Sequence, residues 1–268
     1  MSLPLICVTL TGCTVDEMVK DAARATAVGA DIVEVRLDKL WVVEQEIDAT
    51  EKVKSDSDDN RKSVYTPPEF ISQPMDSVDL ESSLISFRTG IELPVILTCR
   101  PERQGGYFPG SEKERIEVLT KAISSGVSWI DLETDIESKE RKKLVKLAGD
   151  STKIISSNHY DQSPGSSNEI IEEIDEISNS GDMIKIVFNT GGKKDALKLF
   201  DVAWRTRDSE DKLSIMGIGA GGDWTRIHAP LLNQSMVYTT MENGWYLAQQ
   251  GRINTSDLKT AWKLLEYN

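Results

Sequence analysis

One lysine stands in the middle of an apolar run, GDMIKIVFN at 181–189. Strand alternation puts Met183, Lys185 and Val187 on one face and Ile184, Ile186 and Phe188 on the other. Desolvation and nearby cations lower a lysine's pKa, and the free amine can attack a ketone to form an imine. The competing reading is an edge-strand lysine whose ammonium reaches solvent. A second run, KIISSNHYDQSP at 153–164, ends its apolar part in Ser-Ser-Asn-His. His159, one of two histidines, therefore falls at the C-terminal end of a strand, where barrel enzymes keep their catalytic groups. A lone histidine is more often structural or exposed. On neighbouring strands, however, Lys185 and His159 would share one pocket as nucleophile and acid–base partner.

Further charged residues sit at strand positions. In DIVEVRLD, 31–38, Val33, Val35 and Leu37 suit packing under helices, so Glu34 and Arg36 point into the barrel. Buried charges are costly, so these two should pair with each other or with a ligand. An internal ion pair that only holds the barrel is the plainer alternative. In TCRPERQGGY, 98–107, Arg100 ends a strand before a Gly-Gly turn, placed either to clamp a carboxylate or to face solvent. WIDLET, 129–134, puts Asp131 and Glu133 on one face, where either could orient His159 or be an ordinary strand-end polar group. GIGAGG, 217–222, satisfies the dinucleotide glycine pattern but follows a late strand, so a close-packed or phosphate-holding loop fits better.

The elements that must position these residues alternate. Strand candidates are 4–10, 31–37, 94–100, 128–133, 152–157, 183–188, 213–218 and 235–239. Helix candidates are 15–28, 112–125, 136–148, 167–180, 193–207, 223–232 and 255–266, with one or two more in 38–93. Capping boxes are expected at Thr14–Glu17 and Ser111–Glu114, and helix ends at Gly29 and Gly126. This α/β rhythm predicts a (β/α)₈ TIM barrel, residues 1–268 forming one domain, over a doubly wound sheet. The stretch 44–90, with its charged EKVKSDSDDNRK and turn-rich TPPEFISQP, reads as an insertion around the second helix.

Composition narrows the function classes. A net charge of −13 argues against nucleic-acid binding, which needs clustered Lys and Arg. Three cysteines without a C-x-x-C pair argue against a disulfide framework or structural zinc and for a reducing cytoplasm. No apolar run is long enough for a membrane span, and the N-terminus reads as a first strand rather than a signal peptide.

Together EVRLD (34–38), TCRPERQGG (98–106), KIISSNH (153–159), DMIKI (182–186) and Thr225–Arg226 resemble the type I 3-dehydroquinate dehydratases across nearly the whole chain. The resemblance implies a (β/α)₈ barrel of the shikimate pathway that dehydrates 3-dehydroquinate without metal or cofactor. It implies that Lys185 forms the imine and His159 moves the protons. Glu34, Arg36 and Arg100 map onto polar pocket residues, and Arg226 onto the arginine that holds the substrate carboxylate. A homodimer is one assembly open to it. Two departures stand out. Gln104 replaces the glutamate of a Glu-Gly-Gly turn, a loss that Asp131 or Glu133 could offset. The closing loop, Ser-Ala-Pro-Gly-Gln in the family, is Ala248-Gln249-Gln250-Gly251-Arg252, with Arg252 offering a new carboxylate contact. The alternatives are another imine-forming barrel lyase or aldolase on a different hydroxy-ketone, and a weakened ligand-binding relative.

Overall fold

The computed structural model describes residues 3–45, 68–244 and 246–267. Its strands are β1 (Leu5–Thr9), β2 (Ile32–Arg36), β3 (Val42–Glu44), β4 (Phe70–Ser72), β5 (Val95–Thr98), β6 (Trp129–Glu133), β7 (Lys153–Tyr160), β8 (Met183–Thr190), β9 (Leu213–Gly219) and β10 (Met236–Thr239). The helices are α1 (Val15–Val28), α2 (Leu80–Gly90), α3 (Glu112–Ser124), α4 (Ser138–Ala148), α5 (Ser167–Glu176), α6 (Lys193–Arg205), α7 (Trp224–Ile227), α8 (Tyr246–Gln249) and α9 (Thr255–Leu264). Eight strands form one sheet in the order β10-β1-β2-β5-β6-β7-β8-β9, all neighbours parallel. These are the eight strands expected, and the sheet curls into a nearly closed (β/α)₈ barrel. None of its helices is long and apolar enough to cross a membrane, among the described residues.

Period-2 alternation sorts the strand residues into an outside and an inside. Outward-facing Val33, Val35, Leu97, Ile130 and Leu132 pack against helix residues such as Met18, Ala22 and Leu119. Inward-facing Cys7, Ile32, Ile96, Trp129, Ile155, Met183 and Met236 fill the base of the barrel with apolar volume. Two residues further along the same strands come Glu34, Thr98, Asp131, Ser157 and Lys185, all buried. The barrel thus has a dry floor beneath a polar layer near its C-terminal mouth.

Local chemistry sets the helix ends. The capping boxes at Thr14–Glu17 and Ser111–Glu114 form, and a third, Ser166–Glu169, starts α5. Gly29 ends α1 in the left-handed region, and Gly126 takes φ 75° just beyond the cap of α3. Two helices are shorter than expected. The 223–232 candidate is helical only over Trp224–Ile227, because Pro230 disfavours helical backbone at the residue before it. The 167–180 candidate stops at Glu176, short of Asn179 with φ 59°. Within 44–90, residues 46–67 lie outside the described residues. Residues 80–90 are the second barrel helix itself, and β4 pairs antiparallel with β3 beside the mouth.

The ends of the strand order, β9 and β10, meet across a seam held largely by side chains. Ser235 donates its N–H to Leu213 O at 2.8 Å, Ser214 Oγ donates to Met236 O at 2.9 Å, and Gln234 Oε1 accepts from Ile215 N–H at 2.7 Å. Arg226 completes the seam, with Nε donating to Tyr238 O at 3.0 Å and Nη1 to Gly217 O at 2.7 Å. Gln234 is buried, so Gln234→Ala strands the Ile215 N–H without water. Each orphaned group costs about 1–3 kcal/mol. Denaturant unfolding should show a loss of that size, and an unchanged midpoint would show that the seam does not depend on this bond.

Candidate active site

Lys185 projects from β8 into the polar layer with its side chain 4% exposed. Its Nζ lies 3.3 Å from Glu34 Oε1 and 3.4 Å from Asp131 Oδ2, and 3.8 Å from the centre of the Tyr238 ring. It is therefore an interior amine, and the edge-strand alternative does not apply. Glu34 is held in turn by Thr9 Oγ1 at 2.8 Å and Thr98 Oγ1 at 2.9 Å. Burial raises the Glu34 carboxyl, but Lys185 and Arg36 outweigh it and the net shift is downward.

Arg36 does not pair with Glu34 as the sequence suggested. Nε and Nη2 grip Asp38 at 2.8 and 2.7 Å, a bidentate pair. Asp38 lies just past β2 and also accepts the N–H groups of Arg100 at 3.2 Å and Tyr107 at 3.0 Å. That geometry needs the Gly-Gly turn: a Cβ on Gly106 would come within 2.0 Å of Arg100 O. Burial opposes ionisation of Asp38, yet Arg36 and these N–H groups hold its carboxyl below the usual range.

Arg100 is buried at the centre of a network. Nη2 donates to Asp131 Oδ2 at 2.8 Å, and Nη1 donates to Glu133 Oε1 at 2.7 Å and Ser157 Oγ at 2.9 Å. Ser157 Oγ donates to Asp131, and Arg115 Nη1 holds the other Glu133 oxygen at 2.6 Å. Desolvation raises Glu133 despite its two arginines and lowers the charged form of Arg100, which Asp131 and Glu133 more than restore.

His159 lies on β7 two residues beyond Ser157, the register partner of Lys185. Neither Asp131 nor Glu133 orients it. Both carboxylates are taken up by Arg100, Ser157, Lys185 and Arg115, and His159 Nδ1 is buried with no hydrogen-bond partner among the described residues. Gln104 Oε1 accepts the His159 backbone N–H at 3.1 Å instead of meeting the ring. Part of the imidazole surface stays open to the mouth although the ring lies deep among protein atoms. Burial, then Arg100, Lys185 and Arg36, push it well below the ordinary imidazole range.

At the seam, Arg226 Nη1 also donates to Gly222 O at 2.6 Å and Gly251 O at 2.8 Å. Burial pulls this guanidinium down to about 10; Asp223 opposes and Arg252 adds to the shift. Among the described residues no carboxylate hydrogen-bonds to it. The GIGAGG loop around it is the close-packed kind, since a Cβ on Gly222 would lie 2.5 Å from Gly217 O. Arg252 reaches Glu242 Oε1 at 3.1 Å and Thr240 Oγ1 at 3.0 Å.

The structure brings Lys185, Glu34, Arg36, Arg100 and His159 into one polar layer and mouth, with Arg226 and Arg252 on the seam side. Asp38, Ser157, Thr98 and Tyr238 went unremarked in the sequence. Asp38 had a readable signal, for it continues the parity of Glu34 and Arg36.

Fold and site together define a barrel enzyme built around a buried lysine. Residues 6–268 match the family model for type I 3-dehydroquinase, and the chain belongs to that family. The 3-dehydroquinate dehydratase of Methanopyrus kandleri is 26% identical over 262 residues, covering 97% of this chain and 100% of the relative. That of Methanosarcina barkeri is 28% identical over 251 residues, covering 91% and 88%. The 3-dehydroquinate dehydratase structure from Geobacillus kaustophilus superposes with TM-score 0.77 at 18% identity, covering 99% of this chain and 92% of that one. The type I enzyme from Clostridium difficile gives 0.74 at 20% identity, covering 98% and 92%. These two likenesses carry the fold.

The depressed pKa of His159 predicts a neutral ring at neutral pH. Its NMR titration should fall below the ordinary value of about 6.5. Because the unfolded state takes up the proton more readily, the stability tied to this ring is full above that value and is lost as pH falls through the window below it. Titration at or above the ordinary value would contradict the arrangement of cations around the ring.

Proposed function

We propose that the chain dehydrates 3-dehydroquinate to 3-dehydroshikimate through an imine on Lys185. The observation that carries this reading is the interior amine between Glu34 and Asp131, on the strand beside that of His159. A protein–substrate imine needs a buried, positioned amine and a base that is neutral before it acts.

The amine nitrogen of Lys185 adds to the ketone carbon, and loss of one water leaves a protonated imine. That cation replaces the ammonium charge for charge, so Glu34 and Asp131 stay paired throughout. The imine draws electrons from the adjacent carbon, and neutral His159 takes the proton there. The carbanion is delocalised into the imine and expels the neighbouring hydroxyl, which leaves as water with the proton held by His159. A second water hydrolyses the imine and frees Lys185. The net change is substrate to enone plus one water. Acid–base assistance of this kind contributes about 10²–10⁴-fold.

Arg36 and Arg100 support the polar layer through Asp38, Asp131 and Glu133. Arg226 and Arg252 serve the substrate carboxylate. Arg226 anchors the loop from one side, and Arg252 extends a guanidinium where the family has glutamine. Glu242 holds Arg252 meanwhile and gives way to the substrate carboxylate. Three free cysteines suit a reducing cytoplasm.

Incubation with 3-dehydroquinate and borohydride should leave a reduced adduct on Lys185, found by mass spectrometry. Enone absorbance without borohydride should vanish in Lys185→Ala. Turnover that survives in the variant would refute the imine. Arg252→Gln should raise KM about tenfold, the size of one charge-assisted hydrogen bond, with kcat less affected. Glu242→Gln should lower KM. A KM unmoved by both would remove Arg252 from the carboxylate site.

A further inference from the structure

His159 needs a defined position, yet among the described residues nothing grips its ring: Nδ1 has no hydrogen-bond partner. What is gripped is the pair of neighbouring side chains, and through them the strand. Side chains alternate along β7, so Asn158 and Tyr160 point outward while His159 points to the mouth. Both outward neighbours end on the same atom. Asn158 Nδ2 donates to Glu173 Oε1 at 2.7 Å, and Tyr160 Oη donates to that oxygen at 2.6 Å. Glu173 rides on α5, whose N-terminus is fixed by the Ser166–Glu169 capping box. Asn158 Oδ1 accepts in addition from Thr134 Oγ1 at 2.5 Å. The Tyr160 ring stacks on Phe188 of β8, centroids 4.6 Å apart, and so ties this stretch to the strand that carries Lys185. From the inner side Gln104 takes the His159 N–H.

We infer that Glu173 is a positioning residue for His159, clamping the strand from outside through Asn158 and Tyr160 in place of a carboxylate on the imidazole. The inference rests on the reading of His159 as the proton-transfer group. A carboxylate at the ring would orient it and also raise its basicity; a clamp on the backbone orients it and leaves the ring without that charge. Rotation of the strand end by a fraction of an ångström would move the imidazole off the substrate carbon, and proton transfer is sensitive to such shifts. Glu173 bonds to Asn158 and Tyr160 and acts through His159, so its removal slows the proton transfers His159 carries, carbanion formation and departure of the hydroxyl, and spares imine formation.

The test uses Glu173→Ala, Glu173→Gln and Tyr160→Phe in the full chain. Glu173→Ala should lower kcat about tenfold with KM little changed. The rate at which borohydride traps the Lys185 adduct should stay near wild type, and a deuterium isotope effect on the abstracted proton should increase. Glu173→Gln keeps an acceptor oxygen and should recover most of the rate. Tyr160→Phe keeps the stacking, removes one arm and should fall between, and it serves if Glu173→Ala does not fold. Without substrate, the His159 ring resonances should broaden in Glu173→Ala while those of His228, bonded to Tyr267, stay sharp. Unchanged kcat, equal losses in trapping and turnover, or unaltered His159 resonances would each overturn the clamp. Absence of any Lys185 adduct in wild type would instead count against the imine reading, leaving the ring resonances to decide the clamp.

Discussion

Everything at the mouth of this barrel depends on neutralising charge inside it. Four cations, Arg36, Arg100, Arg115 and Lys185, face four carboxyl groups, Glu34, Asp38, Asp131 and Glu133. An unpaired member would cost several kcal/mol. The pairing is not one-to-one: Asp131 serves Arg100 and Lys185, and Glu133 serves Arg100 and Arg115. Sharing of this kind locks side chains from β2, β5, β6, β8 and α3 into one unit. The lysine is therefore held in position by the same contacts that keep its charge tolerable.

That coupling explains what the sequence disclosed and what it hid. Strand rhythm was legible because the outer face of each strand packs under helices and the base of the barrel is apolar, so the runs read as Val, Ile and Leu with few interruptions. The interruptions were the site. Lys185, Glu34 and Arg100 stood out because a charge within or at the end of an apolar strand needs a partner, a ligand or a way out to solvent. Their partners were harder to read. Arg36 takes Asp38, two residues on, because the chain leaves β2 in a tight helical turn that swings the carboxylate back. Parity flags Asp38 as a third charge in the series, but not that this turn brings it onto Arg36. Ser157 and Thr98 were invisible for another reason: small hydroxyls are common on strands, and only the three-dimensional neighbours reveal that they saturate carboxylate lone pairs.

Arg226 ties the closure of the barrel to the loops at its mouth. The seam between β9 and β10 offers carbonyls that lack ladder partners, and a planar guanidinium can satisfy several of them at once. Binding Gly251 O as well fixes the segment that carries Arg252. A buried cation paired only with carbonyl dipoles remains short of negative charge, which is why burial pulls it down to about 10. An anion bound nearby relieves that deficit. The loop resembling a dinucleotide motif in sequence is dense here because its glycines let these carbonyls converge on one arginine.

The unpaired His159 follows from the same electrostatics. Arg100, Lys185 and Arg36 all oppose its protonation, so the ring waits in the basic form. Protonation would add a further positive charge beside those cations, and it is disfavoured there. In the proposed reaction the proton it takes passes on to the departing hydroxyl. A carboxylate at Nδ1 would stabilise the imidazolium and blunt that second transfer; glutamine at position 104 binds backbone and leaves it undiminished. The arrangement favours proton relay over proton storage, as a dehydration requires.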